Sequence, residues 1–179
     1  MSGELDGPIE NLVALLRNID IVICCVAPAA IKSQVPLVDA AAKAGVKRFV
    51  PCNWGVVAPP GILPTHDVKE IVHGHIFRQH LGFTIIDVGF WYQASIPTVP
   101  SGRFDKAIFM PTANQVFSDG AKPSMHIDAR DIGRITVEVL KHPGSLNKRI
   151  IAYGEVMSQN ETHKLIEDKA EERLVVTHV

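Results

Sequence analysis

A length of 179 residues, 46% of them apolar and 21% charged, suits one ordinary globular domain with a sizeable core. The net charge is −1 and the basic residues are scattered as pairs, Lys47-Arg48 and Lys148-Arg149, which removes any electrostatic case for nucleic acid or an anionic membrane as a partner. The longest apolar stretch, Ile21 to Ala30, is interrupted by Pro28 and is too short to span a bilayer.

The opening residues lack the basic-then-apolar layout of a secretory signal. Three cysteines, Cys24, Cys25 and Cys52, do not make a disulfide framework, and the first two, as neighbours, point to opposite faces of a strand. A reducing, cytoplasmic setting is the expectation.

In chain order, Pro8 to Asn18 carries apolar residues at a helical period, with Pro8 suited to a first turn. Ile21 to Val26 is a continuous, β-branched apolar run that predicts a strand buried on both faces, as in a parallel sheet. Lys32 to Ala44 is alanine-rich and helical, and Gly45 stands where a C-cap belongs. A strand over Val46 to Cys52 follows, then a Gly/Pro-rich loop from Gly55 to Pro64. His66 to Leu81 is helical, with His66-Asp67 as its expected cap, and Phe83 to Val88 is a third buried strand.

Strand, helix, strand, helix and strand with short joints predict an α/β fold, a Rossmann-like, doubly wound parallel sheet. Residues 96–125 mix prolines and glycines with short apolar pieces and are expected to form a small substrate-side lobe within the single domain, 1–179. Asp128 to Lys141 returns to helix and stops at Pro143. A strand at Arg149 to Tyr153 and a helix from Ser158 to Glu172 follow, Ser158 and Glu161 forming a capping-box pattern. The tail, Arg173 to Val179, reads as strand-like with nothing after it to pack against.

A Rossmann-type sheet opens with a glycine-rich turn that cradles the coenzyme pyrophosphate. No G-x-G occurs anywhere in the chain, and no Walker-type phosphate loop does either. The fold is therefore expected to lack its first βαβ unit, which would turn the strand at Ile21 to Val26 into an exposed edge, and the chain is expected to be a truncated form.

The run Val46 to Gly55, VKRFVPCNWG, resembles the V-K-R-F-x-P-S-E-F-G signature of NmrA-like and isoflavone-reductase-like proteins. The resemblance extends to Gln34 upstream. Downstream it takes in a lysine on the next helix, a strand ending near Gly89-Phe90, DIGR at Asp131 to Arg134 and SQNE at Ser158 to Glu161. It implies an NAD(P)H-dependent reductase of a small, aromatic or phenylpropanoid-like substrate. A non-catalytic, dinucleotide-sensing regulator acting through a protein partner is the second reading. NADPH rather than NADH is what the family implies.

By the same resemblance, Lys69 matches the lysine that contacts the nicotinamide ribose and serves or orients the proton donor. Pro51, Cys52, Asn53, Val88, Gly89 and Phe90 would bracket the nicotinamide, Val26, Ala27 and Pro28 would lie toward the adenosine, and Gln34 would belong to the coenzyme site. Cys52, Asn53 and Trp54 stand where the family has serine, glutamate and phenylalanine. A contact that needs the serine hydroxyl is lost, because a thiol is a weaker donor.

The residues give Lys69 a setting of its own. On a helical wheel Val68, Ile71, Val72 and Ile76 form the expected buried stripe, with Lys69 at its border. Desolvation there makes an ammonium usable as an acid near neutral pH; a snorkelling lysine covering apolar surface is the plain alternative. Trp91 and Tyr92 follow the third strand where ligands bind in open α/β sheets, so they either line an aromatic substrate pocket or pack as core and lid. His66, His73, His75 and His80 crowd one helix, but their spacing does not make a closed metal set, and no metal is expected. No G-x-S-x-G elbow is present, and Asp87, Asp128 and Asp131 give no sign of a catalytic carboxylate pair.

Overall fold

The computed structural model describes residues 5, 7–104, 106 and 114–179; the rest of the lobe expected at 96–125 lies outside the described residues. The chain divides into two compact units, Met1–Asp87 with Thr136–Ile150 and Val88–Ile135 with Ile151–Val179.

In the first unit, helix α1 (Ile9–Leu15) leads into strand β1 (Ile21–Ile23), and a 3₁₀ turn (Pro28–Ser33) runs into α2 (Gln34–Ala44). Gly45 ends α2 in the left-handed region, φ 78°, and the Val46 N–H returns to the Ala41 carbonyl at 3.0 Å. β2 (Arg48–Val50) pairs in parallel with β1, Phe49 opposite Val22. On its other side Phe49 meets Phe83 in a parallel bridge just before β3 (Thr84–Asp87). β7 (Lys148–Ile151) pairs with β3, and α3 (Pro64–Arg78) crosses between β2 and β3 in the sequence. Phe49, Val38, Ala41, Val72, Ile76 and Leu81 meet in one apolar core, so α2, α3 and β2 are fixed by burial of a shared surface.

The second unit holds β4 (Phe90–Trp91), the short α4 (Tyr92–Ser95), β5 (Gln115–Val116) and β6 (Pro123–Ile127). β8 (Glu155–Ser158), α6 (Gln159–Ala170) and β9 (Thr177–His178) complete it. β4 lies parallel to β6, β6 antiparallel to β8, and β5 parallel to β9. Helix α5 (Ala129–Lys141) begins in this unit and ends in the first. Ser158 caps α6 with the full reciprocal box: its side chain accepts from the Glu161 N–H while Glu161 accepts from the Ser158 N–H.

Several expectations are corrected. Among the described residues the strands form small mixed sheets rather than one continuous parallel one, β6 with β8 being antiparallel. β1 is three residues long, not six, and Ile21 and Ile23 are 39% and 46% exposed, so the strand is not buried on both faces. Cys24 and Cys25 do face opposite ways, the first buried and the second exposed. α3 starts at Pro64, whose fixed φ and missing N–H suit a first turn, so His66-Asp67 is not its cap. Ile71 is solvent-facing, and the buried face of α3 is His66, Val72, His73 and Ile76. The strand expected at Arg149 to Tyr153 is β7, which begins one residue earlier and ends at Ile151, and β8 is a separate strand that the sequence pattern does not predict. The tail does find a partner: β9 adds to β5.

Candidate active site around Lys69

Strand β2 delivers Pro51, Cys52 and Asn53 at its C-terminal end, all three buried. Gln34, fully buried on α2, holds this corner, its side-chain oxygen accepting from the Cys52 N–H at 2.8 Å while its amide donates to the Ile31 carbonyl at 2.9 Å. The Cys52 thiol donates to the Val26 carbonyl, 3.3 Å, and the Trp54 indole N–H to the Cys24 carbonyl, 2.9 Å. Val26, Gln34, Cys52 and Asn53 are thereby brought to one corner, and Ala27 and Pro28 lead from it into the 3₁₀ turn.

Lys69, on the second turn of α3 and half-buried, donates to the Asn53 carbonyl at 2.5 Å. Burial pulls its ammonium below the ordinary value; Cys52 and Asp87 oppose that, and Arg149 adds to it. A Cβ on Gly55 would stand 3.4 Å from Lys69 Nζ, so the glycine leaves open the space beside the ammonium. Burial pushes the Cys52 thiol up and carries Cys24 to about 12, so neither is a thiolate at neutral pH.

Two residues to which the sequence assigned no role in the site complete the corner. Asp87, at the end of β3, is 0% exposed and accepts from the Asn53 amide and from Arg149 Nε, the latter at 2.7 Å. Arg149, on β7, also reaches Glu70 Oε1 at 3.1 Å and His66 Nε2 at 3.0 Å. An acid ending the otherwise apolar FTIID run was the available signal, but its partner lies 62 residues away and no spacing announces it.

The helix histidines are engaged separately. His66 meets Arg149, and His75 meets Asp39 on α2 at 2.7 Å. His73 is buried with its Nδ1 3.3 Å from Glu70, out of line for a hydrogen bond. No group of three or more His, Cys, Asp or Glu able to hold a metal occurs among the described residues.

Burial holds the His73 imidazolium below its ordinary 6.5, and does the same to His126 in the second unit. The unfolded chain therefore takes these protons first. Stability is full above about pH 6.5 and falls as the pH drops through that value toward the folded ones. The carboxyl of Glu70 is held below 4.5, so its contribution is intact across this range and is lost only as the pH falls below about 4.5. The melting temperature is expected to fall between pH 7 and pH 5, and to fall less steeply in His73→Gln; an unchanged profile in that variant would remove His73 from the account.

In the second unit Val88 is fully buried. Gly89 adopts φ 72°, and a Cβ on it would strike the Met125 main chain, which makes glycine necessary there. Phe90 and Tyr92 flank the His126 ring at centroid distances of 5.8 Å and 5.7 Å, and Tyr92 donates its hydroxyl to Glu155. Burial and that carboxylate push the phenol up. Trp91 is partly buried on β4. A separate cavity of about 700 Å³, lined by Val116, Asn160, His163 and Glu167 among others, contains none of these residues.

The model of the NmrA-like family matches residues 1–179. The chain belongs to the NmrA-like family. Among NmrA-like and related proteins it is similar to the asnovolin J 5',6'-dehydrogenase of Aspergillus novofumigatus, 37% identical over 169 residues that cover 93% of this chain and 52% of that protein. It is also similar to the bifunctional pinoresinol-lariciresinol reductase 2 of Linum usitatissimum, 30% identical, covering 79% of this chain and 46% of the relative. The chain thus spans about half the length of these relatives. Its fold matches the leucoanthocyanidin reductase–NADPH binary complex of Vitis vinifera with a TM-score of 0.80 at 23% identity, covering all of this chain and 60% of that one. No helix among the described residues is long and apolar enough to cross a membrane.

Proposed function

We propose that this NmrA-like chain carries the lysine-bearing part of a nicotinamide-dependent reductase site built on a Rossmann-like framework. The observation that carries the reading is the half-buried Lys69 ammonium, anchored on the Asn53 carbonyl at 2.5 Å with space kept open beside it by Gly55. One of its three donors goes to Asn53, which leaves others for a ribose hydroxyl or a reacting oxygen.

A nicotinamide coenzyme, when bound, supplies the hydride. The chain's own part is the proton and the geometry. The main chain at Pro51, Cys52 and Asn53 and the Lys69 ammonium would hold the nicotinamide end, and Val26, Ala27 and Pro28 would lie toward the adenosine. The internal bonds of Gln34 make it a brace for that corner. Lys69 gives its proton to the substrate atom that gains negative charge as hydride arrives, and recovers one from water. The relatives' names, a dehydrogenase and a reductase of pinoresinol and lariciresinol, and the NADPH complex of the structural neighbour favour NADPH and a small aromatic substrate.

NADPH is titrated calorimetrically into this chain and into the chain with any upstream glycine-rich segment its gene encodes. NADPH absorbance is then followed with pinoresinol as substrate. Binding and oxidation by the longer protein are expected. Binding without oxidation of NADPH by any substrate offered would favour the regulator reading, and no binding by either form would overturn the coenzyme assignment.

A further inference from the structure

Lys69 is held by a main-chain oxygen whose own residue is tied down from behind. The Asn53 side chain donates to Asp87, and the second oxygen of that carboxylate accepts from Arg149 Nε at 2.7 Å. Glu70 and His66 fix the far side of the guanidinium at 3.1 Å and 3.0 Å. Three hydrogen bonds in series therefore join strand β7 to the ammonium: Arg149 to Asp87, Asp87 to Asn53, Asn53 to Lys69. A carboxylate with no solvent exposure is weak evidence for stability, since a well-packed apolar replacement often serves as well. Its place, one residue removed from the anchor of Lys69, gives it a different use.

We propose that Asp87 and Arg149 are positioning residues that set the place and the local field of the Lys69 ammonium through Asn53. The proposal rests on the reading of Lys69 as proton donor, but its test does not use catalysis. Asp87 locks the Asn53 side chain, so the Asn53 carbonyl cannot rotate away from Nζ. The pair also places opposite charges near the ammonium, the carboxylate favouring its charged form and the guanidinium disfavouring it. Among the described residues, Cys52 with its neighbours Cys24 and Cys25 and, beyond Arg149, Glu70, His66 and His73 also face this corner.

The Lys69 side chain is titrated by NMR in isotopically labelled protein, with Lys69→Arg to assign its signal. Asp87→Asn keeps the shape and removes the negative charge, so the Lys69 midpoint is expected to fall by about one pH unit. Arg149→Met is expected to raise it by a similar amount, and Arg149→Lys, which keeps the charge, to leave it near that of the unaltered protein. Simple loosening of the packing would admit water and move every variant upward, toward the ordinary value. A rise in Asp87→Asn therefore overturns the proposal. Should Asp87→Asn not fold, equal upward movement in the two Arg149 variants overturns it just as well. Absence of NADPH-dependent reduction by the unaltered protein would sink the catalytic reading and leave these titrations as they stand.

Discussion

Lys69→Met is expected to lower the rate of coenzyme-dependent reduction by about 10²- to 10⁴-fold, the range supplied by a positioned general acid. Methionine fills much the same volume and keeps the apolar stem, so the half-buried place of residue 69 on α3 stays filled. The main structural cost is the Asn53 carbonyl, left without its donor at about 1–3 kcal/mol. That cost is offset in part, because the half-buried ammonium no longer has to be desolvated. The folded state should survive while the proton source is gone.

The pH profile carries the same information independently. The acid form of Lys69 is the active one, so the rate is flat at lower pH and falls as the pH rises through the Lys69 value, which burial places below 10.5. In Lys69→Arg the side chain stays protonated throughout, and that alkaline limb should vanish from whatever activity remains. Initial rates of NADPH oxidation over a pH series decide the matter. A methionine variant retaining more than about a tenth of the rate would remove Lys69 from proton delivery, since a general acid contributes at least two orders of magnitude.

The parts of the fold that sequence made legible are those that local chemistry specifies. Gly45 ends α2 because only a residue tolerant of positive φ suits that place, and Ser158 with Glu161 announces the start of α6. Lys69 was placed at the edge of an apolar stripe, and it is half-buried, though the stripe itself includes His66 and His73 in place of Ile71. A wheel reports which residues share a face, but not what lies against that face. The same limit explains β1, whose isoleucines read as buried and stand exposed. Asp87 and Arg149 were illegible for a different reason. They are distant in sequence and adjacent only after β3 and β7 pair. The sequence resemblance pointed to Lys69, but the bonds behind it run through Asn53, one of the positions that depart from the signature, whose amide donates to Asp87.

Phe49→Ala is expected to cost about 3–5 kcal/mol, the range for deleting a buried aromatic ring. Phe49 is 0% exposed and sits on β2, opposite Val22 of β1 on one side and joined to Phe83 by a single parallel bridge on the other. Its N–H donates to the Gly82 carbonyl at 2.8 Å, so the backbone there is held while the ring fills the space between α2 and α3. No neighbouring side chain can swing in without leaving its own packing, and most of the cavity should persist. A loss of that size lowers the melting temperature by roughly 10 °C. Phe49→Leu, which refills most of the volume, should lose much less. The consequence reaches the site, because β2 runs on through Pro51 and Cys52 to Asn53, whose carbonyl anchors Lys69. Amide exchange at Cys52 and Asn53 should therefore accelerate in the alanine variant, together with the fall in melting temperature. A melting temperature that hardly moves would mean that the core is not centred on Phe49, and the rigidity attributed to the Asn53 anchor would then need another source.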